Sequence, residues 1–277
     1  MIPSRSLRLA RIFFTMKILT SIQNERIKRA HKLINSRASR KDTGLVFLEG
    51  VRLVEECLKN RDFFDLEVFV DASKLTKTFI SLIDRLDDSV VVTYVDSNLA
   101  KKISSTKTSQ GIAAVGRFER KLPRGRDLHF AVAIDGIQDP GNLGAVIRSA
   151  AAFSVDRIYL SSGCADPYSP KCIRGAMGAQ FRLAIDEGVD IEEVVEEFKG
   201  TSFAATVSEG LALEDCSFVS PTLLIVGAEG NGVRPSLMSS VDKRISIAMG
   251  NGIESLNVAC ATTLLCYRIS QVKMSQK

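Results

Sequence analysis

Asp135-Gly-Ile-Gln-Asp139-Pro-Gly-Asn142-Leu-Gly144-Ala-Val-Ile-Arg148 is the stretch that decides how this chain folds. It follows the apolar run Phe130–Ile134, which has strand length. It leads into Leu143, Val146, Ile147 and Ala150, spaced i, i+3, i+4, i+7 as on one face of a helix. Asp139 is placed to cap that helix and Pro140 to start it. Two further junctions of the same kind follow, Gly227-Ala-Glu229-Gly-Asn231-Gly232 and Gly250-Asn-Gly252-Ile-Glu254-Ser255-Leu-Asn257. Glycines at strand ends let a ligand approach the backbone, and in open α/β sheets that rim is where ligands bind. The three junctions carry more polar side chains than a scaffold requires.

Around them, residues 128–277 alternate strand and helix. Strands are predicted at Arg157–Leu160, Phe203–Val207, Leu223–Val226 and Ile245–Met249. An acidic amphipathic helix is predicted at Ile191–Phe198. A closing helix, Leu256–Ile269, is apolar on most faces and is expected to be buried. The alternation predicts a mainly parallel sheet with helices on both faces. Residues 16–118 read as a separate small α/β unit. Ile27, Ala30, Leu33 and Ile34 share one helical face, and Leu53, Val54, Cys57 and Leu58 mark a second helix. Val46–Leu48, Leu66–Val70, Val90–Val95 and Ile112–Val115 are strand-like. Residues 119–127 are charged and contain Pro123 and Gly125, as a linker would. Residues 1–15 hold no acid and space Arg5, Arg8 and Arg11 by three, as an organelle-targeting segment can; they are read instead as an N-terminal extension upstream of Met16.

The chain has 277 residues and a net charge of +5, and the charge is unevenly placed. Before Asp42 the only acid is Glu25, against a run of cations that includes Arg26, Lys28, Arg29, Lys32, Arg37, Arg40 and Lys41. These are expected on one helix and the loop after it, facing a polyanion such as nucleic acid. No apolar run approaches the roughly 18 residues of a membrane span. The six cysteines form no CxxC pair, and there are two histidines, so no structural zinc site is predicted. The thiols are expected to be buried and reduced, as in a cytoplasmic protein.

The familiar glycine labels do not fit. There is no P-loop, and Gly227–Gly232 has the wrong spacing for a dinucleotide fingerprint. No histidine lies near Ser255, which argues against serine hydrolysis. In order and separation, however, the three junctions resemble the three motifs of the SpoU-type (TrmH-type) RNA ribose 2′-O-methyltransferases. Residues 16–118 resemble the ribosomal-protein-like substrate-binding domain found in many members, through Thr20–Asn24, Phe47–Gly50 and Ser109–Ile112.

That resemblance implies a C-terminal trefoil knot, a homodimer, S-adenosylmethionine as cofactor and RNA, most simply ribosomal RNA, as substrate. By motif position it implies a cofactor site lined by Gly227, Ile247 and Leu256. It also implies a catalytic set of Asn142, Arg148, Glu229, Ser255 and Asn257. The residue types suit the chemistry. A ribose hydroxyl must be polarised or deprotonated, and alignment with an activated methyl donor can contribute roughly 7–11 kcal/mol. The family makes the residue at Arg148 a base; a phosphate clamp that polarises the hydroxyl is simpler for a guanidinium. Two positions depart from the pattern, with Ala248 where proline is usual and Ala176 where serine is usual. The alternatives are an inactive RNA-binding protein on the same fold and a transfer RNA methyltransferase.

Overall fold

The computed structural model describes residues 17–60, 62–119, 128–207 and 209–274. The extension at 1–15 and nearly all of the linker at 119–127 lie outside them. The described residues fall into two compact units, one of residues 17–119 with 168–170 and the other of the remainder.

The first unit contains α1 (Glu25–Asn35), α2 (Arg37–Thr43), β1 (Leu45–Glu49), α3 (Val51–Lys59), β2 (Phe63–Asp71), α4 (Lys77–Ile83), β3 (Val91–Val95), α5 (Ser97–Lys102) and β4 (Ile112–Phe118). Its sheet runs β1-β4-β2-β3. The pairs with β4 are antiparallel and β2–β3 is parallel. One face packs Phe47, Phe69 and Val115 under Ile27, Ala30 and Leu33 of α1. The other packs Val68, Val70 and Ala114 under Val54, Phe79 and Leu82.

This unit corrects the expected basic face. Residues 37–43 form a second helix, not a loop, because Ser36 caps it by accepting from Ser39 N–H. Arg40 is buried and donates to the Leu33 carbonyl, closing the end of α1. Arg26 and Arg29 lie 3.3 and 2.7 Å from the carboxylate of buried Glu67. Three of the cations are therefore committed to the fold.

The second unit contains β5 (Phe130–Asp135), α6 (Pro140–Ala152), β6 (Arg157–Leu160), α7 (Pro170–Ala176), β7 (Ala184–Glu187), α8 (Ile191–Glu197), β8 (Thr201–Thr206), β9 (Leu211–Ala212), β10 (Thr222–Gly227), α9 (Pro235–Ser240), β11 (Lys243–Ser246) and α10 (Val258–Met274). The sheet order is β7-β6-β5-β10-β8-β11-β9, with every neighbouring pair parallel. All of β5 is buried, and the two-residue period sorts its side chains. Phe130, Val132 and Ile134 face the layer that contains α6 and α10. Ala131 and Ala133 face Ile191 and Leu237. Gly144 and Gly175 bring α6 and α7 close, since a Cβ at Gly144 would stand 2.6 Å from the Cys172 carbonyl oxygen.

The strand expected at Ile245–Met249 stops at Ser246, because β8 and β9 offer no partner beyond it. The closing helix is not wholly buried, since Cys260, Leu264 and Tyr267 are exposed along it. Cys260 likewise departs from the expectation of buried thiols; the other five cysteines are buried. Burial pushes the Cys57, Cys172 and Cys266 thiols up, away from the reactive thiolate.

Candidate functional site

Parallel register places the first two junctions side by side, because Gly227, the last residue of β10, pairs with Asp135, the last of β5. The chain after Gly227 turns tightly. Ala228 and Gly232 exchange backbone hydrogen bonds at 3.1 and 3.0 Å. Gly227 must be glycine here, since a Cβ would fall 1.9 Å from the Gly232 carbonyl carbon. Gly230 and Gly232 take positive φ of 88° and 64°, which glycine adopts without cost. Asp135 holds the far side of this turn, accepting from Arg234 N–H at 3.3 Å and lying 3.5 Å from its Nε. The tip so held presents Glu229.

Asp139 caps α6 by accepting from Gly141 and Asn142 N–H at 2.7 and 2.9 Å. Its other oxygen accepts from Lys171 Nζ at 2.6 Å. The Lys171 hydrogen bond first, then those from Asn142 and Gly141 N–H, hold the Asp139 carboxyl below the usual carboxylate range against a small desolvation effect. With the cap supplied by Asp139, the Asn142 side chain is left for the site.

A chain of side-chain bonds then joins all three junctions. Asn257 Oδ1 caps α10, accepting from Ala259 and Cys260 N–H. That fixes its amide, whose Nδ2 donates to Asn142 Oδ1 at 3.1 Å. Asn142 Nδ2 in turn donates to Glu229 Oε1 at 2.6 Å. Three of the five residues in the expected catalytic set thus meet, and Asn257, not Ser255, is the α10 cap.

Arg148 and Ser255 are not part of that chain. Both are exposed, and among the described residues neither side chain makes a hydrogen bond or ion pair. Arg148 stands on α6 beside α10, which runs along it through Ser149 Oγ–Thr263 Oγ1 at 2.6 Å and a Phe153–Tyr267 ring contact. Ala176 is buried against Gly144, so the missing serine hydroxyl takes a polar group out of the core and not from the joined side chains.

The positions expected to hold the cofactor differ in exposure. Gly227 is buried, Ile247 half-buried against the core and Leu256 exposed. From Ala248 to Leu256 the backbone makes one hydrogen bond of its own among the described residues, Ile253 N–H to the Gly250 carbonyl. A Cβ built at Gly230, Gly232, Gly250 or Gly252 would meet nothing within 4 Å. A strand-end loop with open glycines and unengaged backbone donors and acceptors suits a ligand bound through main-chain groups. No cluster of three or more metal-ligating side chains exists among the described residues, and no helix there is long and apolar enough to cross a membrane.

Sequence reading missed the Asp135–Arg234 clasp and the Lys171–Asp139 pair. Their acids lie in the first junction, but their partners are remote in sequence and carry no local signal.

The SpoU rRNA Methylase family model matches residues 129–267, and a model described as MRM3-like substrate binding domain matches 24–114. An uncharacterized tRNA/rRNA methyltransferase of Synechocystis is 32% identical over 256 residues, covering 90% of this chain and 92% of its own. The 23S rRNA (guanosine(2553)-2′-O)-methyltransferase RlmP of Bacillus subtilis is 30% identical, covering 92% of this chain and 99% of its own. The crystal structure of an RNA 2′-O ribose methyltransferase superposes with a TM-score of 0.80 at 26% identity, over 93% of this chain and all of that one.

Proposed function

The chain belongs to the SpoU rRNA methylase family, and from that premise we propose that it methylates a ribose 2′-hydroxyl of ribosomal RNA with S-adenosylmethionine. The observation that carries the reading is the Asn257–Asn142–Glu229 chain, which locks three sequence-distant junctions into one site at the strand ends. The cofactor supplies a methyl already activated by its sulfonium. The residues that would hold it are Gly227, Ile247 and Leu256, with the open backbone between 248 and 256.

The protein's own part is alignment and charge. Asn142 and Asn257 fix Glu229, and an ordered polar wall of this kind keeps its orientation while charge develops. Arg148, exposed and unpaired, is suited to clamp a substrate phosphate and polarise the ribose oxygen; Ser255 can accept from it or from substrate. A guanidinium keeps its proton at neutral pH, which favours the clamp over the base.

The working unit in this reading is a homodimer, and its location cytoplasmic. Along α10, Leu264 and Tyr267 are 44% and 51% exposed, with Leu256 and Ile253 exposed ahead of the helix. Exposed apolar side chains of this kind fit a second copy of the same surface. The trefoil knot implied by the family's fold belongs to this unit. Residues 16–118 form the substrate-binding domain, and 119–127 the link between the two.

The test is transfer of labelled methyl to transcribed ribosomal RNA, with 2′-O-methyl mapping in cells lacking the protein. The expected result is one ribosomal ribose losing its mark. A protein that binds RNA and transfers nothing would support the inactive alternative, and a lost mark in transfer RNA would move the substrate.

A further inference from the structure

Four strand ends of the first unit meet along one edge of its sheet. β1, β2 and β3 end there and β4 begins there. The segments beyond them are joined by hydrogen bonds into one rim. Gln110 Oε1 accepts from Val51 N–H, Lys74 Nζ donates to the Ser109 carbonyl, and Ser73 Oγ meets Ser97 Oγ at 2.6 Å.

The acids of this rim are turned inward. Glu49 is 7% exposed and accepts from the hydroxyls of Ser104, Ser105 and Thr106 and from Ser105 N–H. Asp71 is 2% exposed and accepts from Ser73 N–H and from the hydroxyls of Ser73 and Ser97. Asp96 caps α5 through Leu99 N–H. The cations are turned outward. Arg52, Lys74, Lys101, Lys102 and Lys107 are all exposed, and among the described residues none is ion-paired.

The loop from Lys107 to Gln110 adds directional donors. Its four successive backbone N–H groups have no acceptor among the described residues. The loop is nevertheless held in place. Glu49 anchors it at one end, and at the other Gly50 lies so near the Gln110 amide that a Cβ would stand 3.0 Å from Oε1. Positive side chains around a held loop with free amide donors match the chemistry of a phosphodiester backbone, which proteins grip through Lys, Arg, hydroxyl and main-chain N–H groups.

We propose that this strand-end rim, and not the α1–α2 face, is where the first unit holds the RNA phosphate backbone. The proposal deepens the functional reading above and rests on it. The α1–α2 face is the weaker candidate because Glu67 engages Arg26 and Arg29, Arg40 is buried, and Lys28 pairs with Glu25 at 3.0 Å.

The test compares three full-length variants for binding to unmodified transcribed ribosomal RNA over a range of salt. Arg52→Ala/Lys74→Ala/Lys107→Ala removes rim charge, Lys74→Arg/Lys107→Arg keeps it, and Lys28→Ala/Lys32→Ala strips the α1 face. The expected result is a fall in affinity of about tenfold or more for the first, with the salt slope reduced by about two to three, close to one for each cation taken off the RNA backbone. The second and third should stay within about twofold of wild type, and S-adenosylmethionine binding by calorimetry should be the same in all. A rim variant with unchanged affinity and slope, or an α1 variant that loses binding instead, overturns the assignment while wild-type methyl transfer leaves the function intact. Wild-type protein that neither binds nor methylates the RNA overturns both.

Discussion

Asn142 Nδ2 lies 2.6 Å from Glu229 Oε1, and this bond ties the first turn of α6 to the tip of the turn after β10. Its strength comes from a charged acceptor and a donor whose amide is already fixed by Asn257. Asn142→Ala should therefore lower the methylation rate by about 10- to 100-fold with cofactor affinity nearly unchanged. Asn142→Asp should be worse, since it places a second carboxylate against Glu229. Equal rates for the two variants would show that the bond does not organise the site.

The Arg148 side chain makes no bond that the fold depends on. Arg148→Ala should leave the melting temperature within about 1 °C and cut methyl transfer by roughly 100-fold or more, the loss expected for a contact felt chiefly in the transition state. Single-turnover kinetics and a thermal melt decide it. A rate within threefold of wild type removes Arg148 from the mechanism.

Gly227 answers a different question from the one its motif position suggests. A side chain there meets the backbone of Gly232 and Val233 before it meets any ligand. Even Gly227→Ala should destabilise the protein by about 3 kcal/mol or more and lower its melting temperature by roughly 5 °C or more. Loss of cofactor binding in such a variant would follow from a displaced turn. An unchanged melting curve would contradict the close approach.

Asp139 gives a pH signature. Its carboxyl is held low in the fold by Lys171 and two backbone N–H groups, so its contribution is present above the unfolded carboxylate value, near 3.9, and is lost as pH falls through the folded one. Asp139→Ala should cost about 0.5–2 kcal/mol at neutral pH, the usual range for a helix cap. The gap to wild type should narrow as pH falls below about 4. Denaturant titrations at pH 7 and pH 3.5 measure it, and a constant gap would mean that charge plays no part.

The exposed stripe on α10 predicts the state of assembly. Leu264→Arg with Tyr267→Asp should yield monomers in sedimentation, with methyl transfer reduced at least tenfold. Sedimentation as a monomer by the wild-type chain would remove the dimer from the reading.

Much of the fold is legible because periodicity reports burial. Arg157–Leu160 and Phe130–Ile134 read directly as strands, and the Leu143–Ala150 stripe as the buried face of α6. β9 escapes notice because two residues carry too little pattern, and β7 because Asp186 and Glu187 cut its apolar run to Ala184 and Ile185. Composition could not show that Glu67 engages Arg26 and Arg29, because that partner lies some 40 residues downstream. At the site, residue types and order pointed to Asn142, Glu229 and Asn257. Which of them touch depends on sheet register, which no local signal encodes.

The central position of β5 also has a consequence in time. β5 is flanked by β6 on one side and β10 on the other, and Phe130 pairs with Thr222. During synthesis at roughly 5–20 residues per second, the second edge of β5 stays open for about 5–20 seconds after the strand is made. Throughout that interval a strand that is apolar from Phe130 to Ile134 offers unpaired backbone to any neighbouring nascent chain. The four strands of the small first unit all precede β5, so its sheet can pair before the wait begins.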